Sequence, residues 1–110
     1  MKRISINWDE KSLARRLAII VGIDPGNIVY RDHAYEFVID KKVKDLIKDI
    51  ETISQFLRRE GFKKEANLKK DMVYFKTNNL GVECKYRNFE GSLPLGDTSG
   101  KFVNVYVFER

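Results

Sequence analysis

The chain has 110 residues, of which 43% are hydrophobic and 34% charged, and 21 Lys and Arg against 16 Asp and Glu give a net charge of +5. That is enough apolar material for a core in a single domain, 1–110, and it argues against intrinsic disorder. A lone cysteine, Cys84, excludes an internal disulfide and most cysteine-built zinc sites.

The elements follow in chain order. Ile4, Ile6 and Trp8 alternate with Arg3, Ser5 and Asn7, a period of two that predicts a strand over Lys2 to Trp8. Asp9 is placed to cap a helix in which Leu13, Leu17, Ile20 and Val21 form the apolar side, with Gly22 closing it. Asp24-Pro25-Gly26-Asn27 is turn chemistry. Strands are expected at Ile28 to Tyr30 and Tyr35 to Ile39, with Arg31 to Ala34 either a tight hairpin turn or the middle of one long strand. Asp40 is expected to cap the second helix. There Val43, Leu46, Ile47, Ile50, Ile53, Phe56 and Leu57 make one apolar face, and Gly61 ends it.

Met72 to Lys76 and Gly81 to Asn88 read as a strand pair, with Thr77-Asn78-Asn79-Leu80-Gly81 supplying turn residues between them. Residues 90–100 read as a flexible loop rich in glycine and proline. Phe102 to Phe108 is apolar on both faces, which predicts a strand inside the sheet. The order predicts an α+β fold with one antiparallel-rich sheet and two helices on one face. Its first six elements follow the split βαββαβ order of a ferredoxin-like fold (or βαβα if the middle hairpin is one strand), and a C-terminal pair of extra strands follows.

Several chemistries are excluded or left incomplete. Gly96 to Lys101 lacks the first glycine and the final Ser or Thr of a phosphate-binding loop, and a strand rather than a helix follows it. His33 is the only histidine, so no triad or histidine-rich metal centre can be built around it; Asp32 and His33 meet only if they share a turn. Cys84 shares its strand face with Val82 and Tyr86 and is expected to be a small buried hydrophobe rather than a nucleophile. No metal or cofactor is expected from these residues.

Val82-Glu83-Cys84-Lys85 puts an acid and a lysine on one strand face, with Asp71 about a dozen residues upstream. Over Asp71 to Lys85 the pattern resembles the core of the PD-(D/E)xK nuclease superfamily. That resemblance implies Asp71 and Glu83 as ligands to Mg²⁺ and Lys85 as the catalytic lysine.

The basic residues are concentrated. Arg58, Arg59, Lys63, Lys64, Lys69 and Lys70 crowd the end of the long helix and the link beyond it, and Lys85 and Arg87 extend the patch. Lys11, Arg15 and Arg16 form a second cluster. Phe62, Tyr74, Phe75, Tyr86 and Phe89 lie near the main patch in sequence. A basic surface with aromatic platforms suits nucleic acid, RNA or DNA, held by phosphate and shape contacts. A protein-interaction module such as a small regulator or inhibitor, a homodimer included, is the alternative, and the Mg²⁺-dependent nuclease a second one. A non-enzymatic binding protein is preferred because the catalytic set is incomplete. No membrane association is expected. The basic start runs at once into polar residues, which argues against a secretory signal and leaves a cytoplasmic location as the expectation.

Overall fold

The computed structural model describes residues 8–67, 72–88 and 101–110. Helix α1 spans Glu10–Ile20 and α2 spans Val43–Arg59. The strands are β1 Val29–Arg31, β2 Ala34–Ile39, β3 Lys63–Asn67, β4 Met72–Lys76, β5 Leu80–Asn88 and β6 Lys101–Glu109. They form one sheet in the order β1-β2-β6-β5-β4-β3, and every neighbouring pair is antiparallel.

Local chemistry sets most boundaries. The Asp9 carboxylate accepts the Ser12 N–H at 2.7 Å and starts α1. Gly22 and Gly61 take positive φ, 75° and 93°, just past the two helices. Asp24 accepts from the Gly26 N–H at the head of a short 3₁₀ turn, Pro25–Asn27. Asp32 and His33, at φ 53° and 64°, are the two turn residues between β1 and β2, so the segment after Ile28 is a hairpin.

The core lies between the helices and one face of the sheet. Leu13, Ala14, Leu17 and Ala18 of α1 and Leu46, Ile50, Ile53 and Leu57 of α2 are buried. They share one cluster with Phe37, Ile39, Phe75, Val82, Cys84, Val103, Val105 and Val107. The register places all of those strand residues on the same side.

Several expectations are corrected. The ferredoxin-like order is not established by these pairings, and the sheet is larger than the four strands of that fold. The last two strands are no appendage: β6 joins the two halves of the sheet and β5 lies beside it. Valines at 103, 105 and 107 fill the helix side of β6 and larger residues fill its other side, so both faces need cover or partners. Lys63–Asn67 forms an edge strand that a run of charged residues conceals from pattern reading.

Asp40 does not cap α2. Lys42 holds that position without a side-chain bond, since a lysine has no acceptor to offer the first N–H groups, and Lys41 turns inward to the Val21 carbonyl at 2.8 Å and the Asp49 carboxylate at 2.7 Å. Ile47 is 60% exposed and off the packed side, whereas Ser54 is buried. The expected strand over Lys2 to Trp8 falls outside the described residues except at Trp8. That residue precedes α1, packs edge-on to Phe56 and donates to Glu60 at 3.0 Å. The loop 90–100 also lies outside the described residues.

Candidate functional site: the open face of the sheet

The helices cover one face of the sheet. Alternation and register then dictate what the other face presents. A central row crosses five strands: Glu36 on β2, Tyr106 on β6, Glu83 on β5, Tyr74 on β4 and Glu65 on β3. Neighbours in that row sit about 4.8 Å apart. On one side of the row lie Val38, Asn104, Lys85 and Met72, and beyond them the facing pair Phe102 and Arg87. On the other side lie Arg31, Ala34, Phe108, Gly81, Lys76 and Lys63.

Two carboxylates of the row are matched. Glu36 meets Arg31 at 3.2 Å and accepts the Asn104 side-chain N–H at 3.1 Å. Glu65 meets Lys76 at 3.0 Å. Glu83 and Lys85 are half-buried and make no hydrogen bond or ion pair among the described residues. Arg87 donates to the Tyr106 hydroxyl at 3.2 Å, which keeps its guanidinium over the sheet. Tyr74 and Phe108 lie nearly parallel, 6.0 Å between centroids and 6° between planes. They close over Gly81, where a Cβ would stand 2.6 Å from two ring carbons of Phe108. A side chain there would have to displace the Phe108 ring.

A groove of about 350 Å³ opens on this face beside the β1–β2 turn. Glu83, Tyr106 and Phe108 line it from the sheet, and Arg31, Asp32 and His33 from the hairpin. Its volume is within the range of small-ligand sites, roughly 300–1,000 Å³.

The residues expected from sequence are thus partly gathered. Lys63, Lys85 and Arg87 share the open face. Lys64 is exposed on the edge strand but alternates to the opposite side. Arg58 and Arg59 are exposed in the last turn of α2. Lys11, Arg15 and Arg16 are exposed on α1, on the far side of its core contacts. Lys69 and Lys70 lie outside the described residues. Of the nearby aromatics, Phe62 and Phe75 are core, Tyr86 faces the helix side, Tyr74 joins the open face, and Phe89 lies outside the described residues.

The reading from sequence missed Phe102, Tyr106 and Phe108. The signal was present in β6: even positions are Phe, Asn, Tyr, Phe, while 103, 105 and 107 are all valine.

Glu83 and Lys85 do share a face, as the nuclease-like pattern asks. Asp71 lies outside the described residues, and no group of three His, Cys, Asp or Glu able to hold a metal occurs among the described ones. Cys84 is free and buried, and burial pushes its thiol up to about 12, so it remains protonated. Asp32 and His33 share the hairpin tip and are exposed, with no hydrogen bond between them among the described residues. No described helix is long and apolar enough to cross a membrane. The chain matches no protein-family model, no curated protein and no solved structure.

Proposed function

We propose that the chain binds single-stranded nucleic acid across the open face of its sheet and does not act on it chemically. One observation carries this reading. The face left uncovered by the helices combines Tyr74, Phe102, Tyr106 and Phe108 with Lys63, Lys76, Lys85 and Arg87. Unstacked bases gain from aromatic platforms, and lysine and arginine between them neutralise the backbone. The end of the face with Lys85, Arg87 and Phe102 presents no described carboxylate of its own, so the phosphates run there. A broad sheet face suits an extended strand better than the deep groove of an A-form duplex.

Fluorescence anisotropy of labelled single- and double-stranded RNA and DNA at two salt concentrations tests this. Single strands are expected to bind best. Lys85→Glu with Arg87→Glu is expected to weaken binding at least about tenfold and flatten the salt dependence. Equal binding by that double variant, or no binding by the native chain, would sink the reading. A gel of the same mixtures with Mg²⁺ addresses the nuclease alternative: cut strands that become intact with Glu83→Ala would favour it.

A protein contact, a homodimer included, has one specific support. At the β1 edge Val29 and Tyr30 are 47% and 56% exposed, whereas the β3 edge carries Lys63 and Lys64, which discourage pairing. Light scattering after size exclusion reads this directly: a dimer that Val29→Lys converts to monomer supports it, and a monomer at every concentration removes the homodimer.

A further inference from the structure

Of the three carboxylates in the central row, Glu36 is held by Arg31 and Asn104 and Glu65 by Lys76. Glu83 alone has no hydrogen bond or ion pair among the described residues, yet it is half-buried, in register between Tyr106 and Tyr74. Its oxygens are open to a ligand rather than sealed from solvent. On a face that binds phosphates it would repel the ligand. Meeting the donor edge of a base gives its oxygens partners and turns a neutral base, rather than phosphates, toward the charge.

We infer that Glu83 reads guanine, accepting its N1–H and N2–H on the two carboxylate oxygens while the ring lies against Tyr106 or Phe108. The inference rests on the open-face reading and assigns its base preference. Among the common bases only guanine offers two adjacent donors on its Watson–Crick edge. Cytosine and adenine present a ring-nitrogen acceptor beside the amino group, and uracil a single N–H between two carbonyls. The groove of about 350 Å³ over Glu83, Tyr106 and Phe108 gives the base its place. Asp32 and Glu36 on the same groove keep phosphate out of it, so the base enters and its backbone stays toward Lys85, about 7 Å along β5 from Glu83.

The test uses three oligoribonucleotides of about eight residues, within the span of single-strand sites. One is all uridine, one carries a single central guanosine, and one carries inosine there, which lacks the N2 amino group. Anisotropy titrations use the native chain and Glu83→Gln, with circular dichroism melts confirming that the variant folds. The guanosine oligomer is expected to bind about tenfold tighter than oligouridine, as a bidentate contact discriminates, with inosine between. Glu83→Gln is expected to lose that preference and bind oligouridine as well as before or better. Binding without a guanine preference overturns this inference and leaves the open-face reading standing. A preference that survives Glu83→Gln overturns the assignment to Glu83. Failure of every oligomer to bind overturns the open-face reading itself. The inosine comparison needs no variant, so it tests the reading of the N2 amino group even if Glu83→Gln fails to fold, and Glu83→Ala then tests the assignment to Glu83.

Discussion

Cys84 faces Val73 on one neighbouring strand and Val105 on the other, fully buried under the helices. Burial favours the neutral thiol, and the adjacent Glu83 charge adds to the effect, which carries its pKa from 9.0 to about 12. Burial raises the Tyr86 phenol in the same direction. With the folded value above the unfolded one, the unfolded chain releases its proton first as the solution becomes alkaline. The stability associated with the thiol is therefore fully present below about pH 9 and is lost as pH rises toward 12. Denaturant titrations at pH 8 and pH 10 are expected to show a steeper alkaline loss for the native chain than for Cys84→Ala. In native buffer a thiol reagent at pH 8 is expected to leave Cys84 unmodified, and to react once denaturant exposes it. Fast modification of the folded chain would contradict its burial. Asp9 shows the opposite sign: hydrogen bonds from Ser12 hold its carboxyl below the usual range, so its contribution is present at neutral pH and is lost as acid protonates it.

Helix α2 gives a sharp contrast within one element. Leu57 is fully buried and Ile47 is 60% exposed, although both belong to one apolar periodicity. Leu57→Ala is expected to cost about 2–5 kcal/mol and Ile47→Gln under about 0.5 kcal/mol in denaturant unfolding. Similar losses from the two would mean that the helix packs on another side. At the β1–β2 turn, two residues with side chains occupy the left-handed region that glycine adopts freely. His33→Gly is expected to stabilise the chain by about 0.5–1 kcal/mol, read as a rise in melting temperature. These elements show where sequence is legible. Asp9, Gly22, Gly61 and the valines of β6 act through local chemistry, and local chemistry can be read from neighbours in the chain. Ile47 and the β3 edge were not legible. Which part of a wide apolar stripe is covered, and whether Lys63–Asn67 pairs with β4, depend on partners far away in sequence.

At the scale of the whole molecule, a net charge of +5 says little about where an anionic partner would lie. The sheet divides that charge. Lys63, Lys76, Lys85 and Arg87 reach the open face, whereas Lys11, Arg15 and Arg16 lie on α1 and Arg58 and Arg59 at the end of α2. Sequence could name every one of these residues but not this division, because it depends on the order β2-β6-β5-β4, which joins the end of the chain to its middle. Phe102, Tyr106 and Phe108 come to the same face for that reason. If phosphates follow Lys85 and Arg87, reversing those charges must change the dependence on salt as well as the affinity. For single strands log K falls with log salt by about 0.7 per phosphate neutralised. Lys85→Glu with Arg87→Glu is therefore expected to reduce the slope by about 1.4 at least. Lys11→Glu with Arg16→Glu changes the net charge by the same amount on the opposite side of the domain, and is expected to leave the slope nearly unchanged. Tyr74→Ala is expected to lower affinity by about 1–3 kcal/mol with the slope preserved, since stacking releases no counterion. Equal slope changes from both charge-reversed pairs would show that total charge, rather than the open face, governs binding.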